Sequence, residues 1–70
     1  MKLKELPPYT TDQMSELIDQ HIHKILYRAV LKLKLLDGMT YEEVAEEVGL
    51  SVQQTKTIVY KCMQTLIKYL

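Results

Sequence analysis

Seventy residues, 47% of them hydrophobic, with a mean hydropathy of −0.12, describe one small folded domain rather than a disordered chain. The single Cys62 excludes an intramolecular disulfide, no Cys/His set has zinc-finger spacing, and no uncharged apolar run is long enough to cross a bilayer. The formal net charge of +0 divides unevenly along the chain: six bases and four acids in residues 1–36, five acids and no base in 37–50, three lysines and no acid in 51–70.

The opening MKLKELPPYT lacks the apolar stretch of a signal peptide, so the expected location is the cytoplasm, with no membrane partner. Residues 1–9 read as an N-terminal arm. Pro7-Pro8 removes two backbone donors and biases the residue before it away from helix. Helix signals follow at once: Thr10 and Gln13 fit a capping box, and Tyr9 with Met14 fits the accompanying hydrophobic staple.

From there to Leu36 no Gly or Pro intervenes, and Ile18, Ile22, Ile25, Ala29, Leu33 and Leu36 keep three- and four-residue spacing along one face. Leu26, Val30 and Leu31 widen that stripe. Asp37-Gly38 closes the segment, with Gly38 suited to a left-handed cap. One helix of this length would measure about 38 Å at 1.5 Å per residue, against a radius of gyration of about 11 Å for a compact chain of this size. The segment therefore either breaks, near residues 21–24, or projects and packs on a second chain. The break is favoured, and a homodimer through helix 11–36 stays open.

The next helix, about 41–48, begins with Thr40 and Glu43 as a second capping box and Met39 with Val44 as its staple; Gly49 ends it. The last, about 52–69, begins with Ser51 and Gln54 as a third box and presents Val52, Ile58, Val59, Cys62, Leu66 and Ile67 inward to various depths. No strand pattern competes. The fold class is all-α, a small domain (residues 10–70) of three to four helices with a helix-turn-helix.

That motif lies in Thr40–Tyr60. Ala45 is small enough for a close helix crossing, Gly49 tolerates a positive φ, and Leu50, Val52 and Ile58 can hold the second helix on the first, above Val44, Val48 and Leu36. Other chemistry finds little support. His21 and His23 point about 200° apart on a helix and cannot share a metal. Cys62 falls on an inner stripe, and Glu42, Glu43, Glu46 and Glu47 read as a solvated face whose first acids suit the helix dipole. No nucleophile elbow, phosphate loop or metal motif is present, so no enzyme, no cofactor and no metal are expected.

The segment LDGMTYEEVAEEVGLSVQQTKTIVYKC resembles region 4 of bacterial sigma factors, and is similar also to small sigma-like regulators of phages and prophages of Gram-positive bacteria. Leu36-Asp37-Gly38, Thr40 through Ala45, Gly49 through Val52, Lys56 and Ile58 through Lys61 carry the resemblance, and Arg28–Leu36 matches the helix preceding the motif. It covers roughly residues 22–70. Two departures stand out: Thr55 takes a position usually held by Val, which predicts looser packing, and Ile25-Leu26-Tyr27 replace charged, turn-prone residues, which argues against the helix break.

The resemblance implies a sequence-specific transcriptional regulator whose partner is double-stranded DNA. It matches no other sigma region, so a complete promoter-melting sigma factor is not expected. The third helix would offer Gln53, Gln54, Lys56, Thr57, Tyr60 and Lys61 to the major groove, Gln suiting adenine and Thr a base edge or thymine methyl. Lys56 and Lys61 would meet phosphates, as would Thr40 and Tyr41. Ser51, at the start of that helix, completes the candidate DNA-binding set. The alternative is a protein-interaction module that contacts RNA polymerase or another regulator through the same fold, which the zero net charge and acidic second helix favour.

Overall fold

The computed structural model describes residues 10–69; the expected arm, with Pro7-Pro8 and the staple residue Tyr9, lies outside the described residues. Four α-helices follow one another: α1 (Thr11–His21), α2 (Ile25–Leu35), α3 (Tyr41–Val48) and α4 (Val52–Leu66), with a closing 3-10 turn at Ile67–Tyr69. The described residues contain no strand, and the domain is all-α.

Three helices start where the sequence places a capping box. Thr10, Thr40 and Ser51 each hold extended backbone angles and accept from the amide of the residue three further on. Gln13, Glu43 and Gln54 return the bond to the capping amide at 2.9 to 3.0 Å. Each box satisfies two amides that the first helical turn would leave without partners.

The segment 11–36 is two helices. No breaker residue lies at the join: Ile22 and Lys24 are extended, and Lys24 caps α2 with no side-chain bond. The join is made by Arg28, one turn into α2. Its Nε donates to the carbonyl of Ile22 and its Nη2 to that of Asp19 at 3.0 Å, occupying carbonyls that the end of α1 leaves open. Asp19 answers with its carboxylate, 2.8 Å from Lys32 Nζ and 3.9 Å from Arg28 Nε. A planar guanidinium is suited to two carbonyls at once, and its charge suits the negative end of α1.

The break changes which residues face inward. A continuous helix would align Ile18, Ile22, Ile25 and Ala29; with the helix interrupted at residues 22–24, the rotation is reset. Ile18 and Ile22 are buried, but Ile25 is 81% exposed, and the inward face of α2 is Val30 and Leu31, both fully buried. Ala29, Leu33 and Leu36 are only half-buried. The expected inward stripe therefore holds in α1, and in α2 it narrows to its widening residues Val30 and Leu31, with Leu33 packed at the edge of the core and Ile25 and Leu26 turned outward.

All three other helices pack on α4, which contributes Thr55, Ile58, Val59, Cys62 and Leu66 to the core. Val44 and Ala45 enter it from α3. Thr55 is fully buried, and its hydroxyl donates to the Ser51 carbonyl at 2.9 Å. Thr has nearly the shape of Val, and this local bond removes the cost of burying its oxygen, so the looser packing expected there does not occur. Burial pushes the Cys62 thiol up from its ordinary range, which keeps it protonated and unreactive. At the other end of α4 the regular helix stops at Leu66, and Ile67 turns outward at 63% exposure instead of facing the core. His21 stacks on Tyr69 with ring centroids 3.6 Å apart, tying the end of α1 to the closing turn.

Arg28→Ala removes both bonds to the end of α1 and should destabilise the domain by about 1–2 kcal/mol in chemical denaturation. Arg28→Lys, a point charge without the fork, should recover less than half of the loss; an unchanged midpoint for both variants would show that the break stands without Arg28. The Asp19 carboxyl is held below its ordinary value, first by the hydrogen bond from Lys32; burial opposes this, and the charges of Lys32 and then Arg28 add to the lowering. A carboxylate with a lowered folded value stabilises above its unfolded pKa of about 3.9 and loses that contribution as pH falls through the folded value. Stability measured from pH 6 down to pH 2 should accordingly fall less steeply in Asp19→Asn than in the parent chain.

Candidate nucleic-acid interface

α3, the turn at Gly49-Leu50 and α4 form the helix-turn-helix. Gly49 has φ +77° and ψ +31°, the left-handed conformation that L side chains resist, and the amide of Leu50 bonds the carbonyl of Ala45 at 2.9 Å. Ala45 is buried beneath the turn, with Leu50 and Val52 half-buried on either side of the Ser51 cap.

With its core face turned inward, α4 leaves a clear outward stripe. Gln53, Thr57, Tyr60 and Gln64 recur at helical spacing and all are exposed. Lys56 and Lys61 flank the stripe, about 140° apart around the axis. No acid occurs anywhere in α4. Gln64 was not among the residues singled out from the sequence, although the spacing that selects Gln53, Thr57 and Tyr60 selects it too.

The candidate residues divide by how their polar atoms are used. Ser51 and Gln54 bond each other's backbone amides in the capping box, as Thr40 and Glu43 do at α3, so these oxygens already have partners. The Thr57 hydroxyl donates to the Gln53 carbonyl at 3.0 Å, leaving its methyl group and lone pairs to face outward. Gln53 and Lys61 are exposed with no such engagement among the described residues, while the exposed Tyr60 shares a side-chain hydrogen bond with Tyr41.

Tyr41 is half-buried and central rather than freely exposed. Its ring meets Tyr60 edge to face at 6.4 Å, with Lys34 Nζ 4.6 Å and Lys56 Nζ 5.6 Å from its centroid. One ring thus joins α2, α3 and α4 at the side of the outward stripe. Burial, and then the neighbouring Tyr60, push the Tyr41 phenol above its ordinary range, so it remains neutral. Lys34 is the residue that sequence reasoning missed here: nothing in its local sequence signals a ring seven positions away on another helix.

The four glutamates of α3 lie opposite its buried face, all exposed. Among the described residues no group of His, Cys, Asp and Glu is arranged to hold a metal ion. No helix among them is long and apolar enough to cross a membrane.

The fold and the exposed second helix of the motif define a helix-turn-helix module. A sequence model described as Sigma-70, region 4 matches residues 24–66, and the chain belongs to that family of DNA-binding helix-turn-helix domains. Comparison with curated proteins found no match, and comparison with solved structures found none.

A Cβ at Gly49 would meet nothing within 4 Å, so Gly49→Ala isolates the backbone cost of the turn from any steric clash. It should destabilise the domain by about 1–2 kcal/mol, measured by thermal or chemical unfolding. A neutral result would mean that the turn does not need its left-handed geometry.

Proposed function

We propose that this chain is a sequence-specific transcriptional regulator that places α4 in the major groove of double-stranded DNA. The observation that carries this reading is the outward face of α4: a polar, acid-free stripe bordered by two lysines, on a helix whose opposite face is wholly committed to the core. Gln53 and Thr57 stand where base edges would lie, with Gln54 and Tyr60 beside them. Lys56 and Lys61, with Thr40 and Tyr41 at the start of α3 and Ser51 at the start of α4, would lie nearest the phosphates and hold the helix in register.

The described cations are few, and affinity for duplex DNA depends on how many phosphates are neutralised. Binding by one copy is therefore weak, and useful affinity calls for a homodimer or a partner protein. The same reading makes the protein a cytoplasmic regulator of the small kind that phages and prophages carry. One observation favours a second role: the exposed Glu42, Glu43, Glu46 and Glu47 repel phosphate and suit a basic protein surface, such as RNA polymerase or another regulator.

DNA selection followed by titration tests the principal reading. Gln53→Ala with Thr57→Ala should lower discrimination between the selected and an unrelated duplex by roughly 10- to 100-fold, with circular dichroism unchanged. Light scattering on the same mixtures should find more than one protein per bound site. Unchanged discrimination in the double variant would shift the function to the protein-contact face of α3, and a tight one-to-one complex at physiological salt would remove the need for a second copy.

A further inference from the structure

We infer that two lysine pairs, Lys34 with Lys56 and Lys24 with Lys61, form phosphate-binding subsites on the two sides of α4 and grip both backbones of the bound duplex. The inference rests on the DNA reading above and adds Lys24 and Lys34, neither of which belongs to the recognition helix.

On one side, the ammonium groups of Lys34 and Lys56 are both drawn to the Tyr41 ring, at 4.6 and 5.6 Å from its centroid. Each is attracted by the ring, but two like charges held at one ring also repel each other, and an anion reaching both relieves that repulsion. On the other side, Lys24 and Lys61 line one hollow, together with His21, His23, Tyr27 and Thr65, and no carboxylate contributes to its wall. Lys24 stands 5.0 Å from the Tyr27 centroid, which again steers an ammonium group by an aromatic face. Both sites thus pair a lysine of α4 with one placed by the α2 segment.

The disposition of α2 explains why the pairs fall on opposite sides. Lys24 and Lys34 bracket the helix, about 15 Å apart along its axis, and α2 packs against the buried face of α4. One end therefore emerges beside Lys61 and the other beside Lys56. Between them, Arg28 and Lys32 are turned to Asp19 and serve the join with α1. The cations at the ends of α2 are left for an external anion. A helix with its side chains is about 10–12 Å across, close to the width of the major groove at about 12 Å. Cations on either flank of an inserted helix thus come up against the two phosphate rows that border the groove.

The test is fluorescence anisotropy over a salt series, with a selected duplex and an unrelated duplex of equal length. Lys24→Gln and Lys34→Gln should each lower the slope of log affinity against log salt by about 0.9, and weaken both duplexes by the same factor. Lys24→Arg and Lys34→Arg, which keep the charge, should retain the parent slope. Lys68→Gln, at the exposed closing turn, should do so too. An unchanged slope in both glutamine variants, or a loss confined to the selected duplex, overturns the lysine subsites while leaving the DNA reading intact. A parent chain that binds neither duplex at low salt removes both.

Discussion

The architecture turns on Arg28. A chain of helix formers without Gly or Pro from Thr11 to Leu36 would otherwise extend as one rod, and a rod can lay only one face on α4. The guanidinium, by taking the carbonyls of Asp19 and Ile22, gives α1 a satisfied end in a place where no turn residue supplies one. With the helix interrupted at residues 22–24, α1 and α2 can both pack on α4. Ile18 and Ile22 then join Val30 and Leu31 in one core, and burying each such side chain is worth roughly 1.5–3 kcal/mol. In a domain this small, that added apolar burial separates a folded state from a marginal one.

The same arrangement divides α4 between structure and function. Its inward side is occupied by Thr55, Ile58, Val59, Cys62 and Leu66, so the opposite side is rigidly presented and has no structural task of its own. The segregation of charge along the chain then acquires a spatial meaning. Acids gather on the outer face of α3, where two of them also favour the helix N-terminus, and α4 carries none. Neutrality overall is compatible with a positive recognition face, because the negative charge is placed on a different surface of the same motif.

Much of this was legible in the sequence wherever the determinant was local. Thr10–Gln13, Thr40–Glu43 and Ser51–Gln54 announce three helix starts within four residues each, and Gly49 announces the left-handed turn by being the residue that accepts it without strain. The outward stripe of α4 follows from spacing alone, Gln64 included. The determinants that were not legible act between elements. The break depends on a side chain in α2 reaching back six and nine residues, so the periodicity of Ile18, Ile22 and Ile25 continued on paper past the point where the helix stops. Thr55 looked like a weakness because its hydroxyl bond to Ser51 is invisible to a residue-type comparison. The Tyr41 cluster needed the crossing of α2, α3 and α4 to bring Lys34 near its ring.

Amide and side-chain chemical shifts of the isotope-labelled chain, followed as duplex DNA carrying a selected site is added, test the central claim most directly. The account predicts perturbations concentrated on Gln53, Thr57, Tyr60 and their flanking lysines, with the outer face of α3 at Glu42, Glu46 and Glu47 unaffected. Perturbations centred on that acidic face, or none on α4, would contradict it.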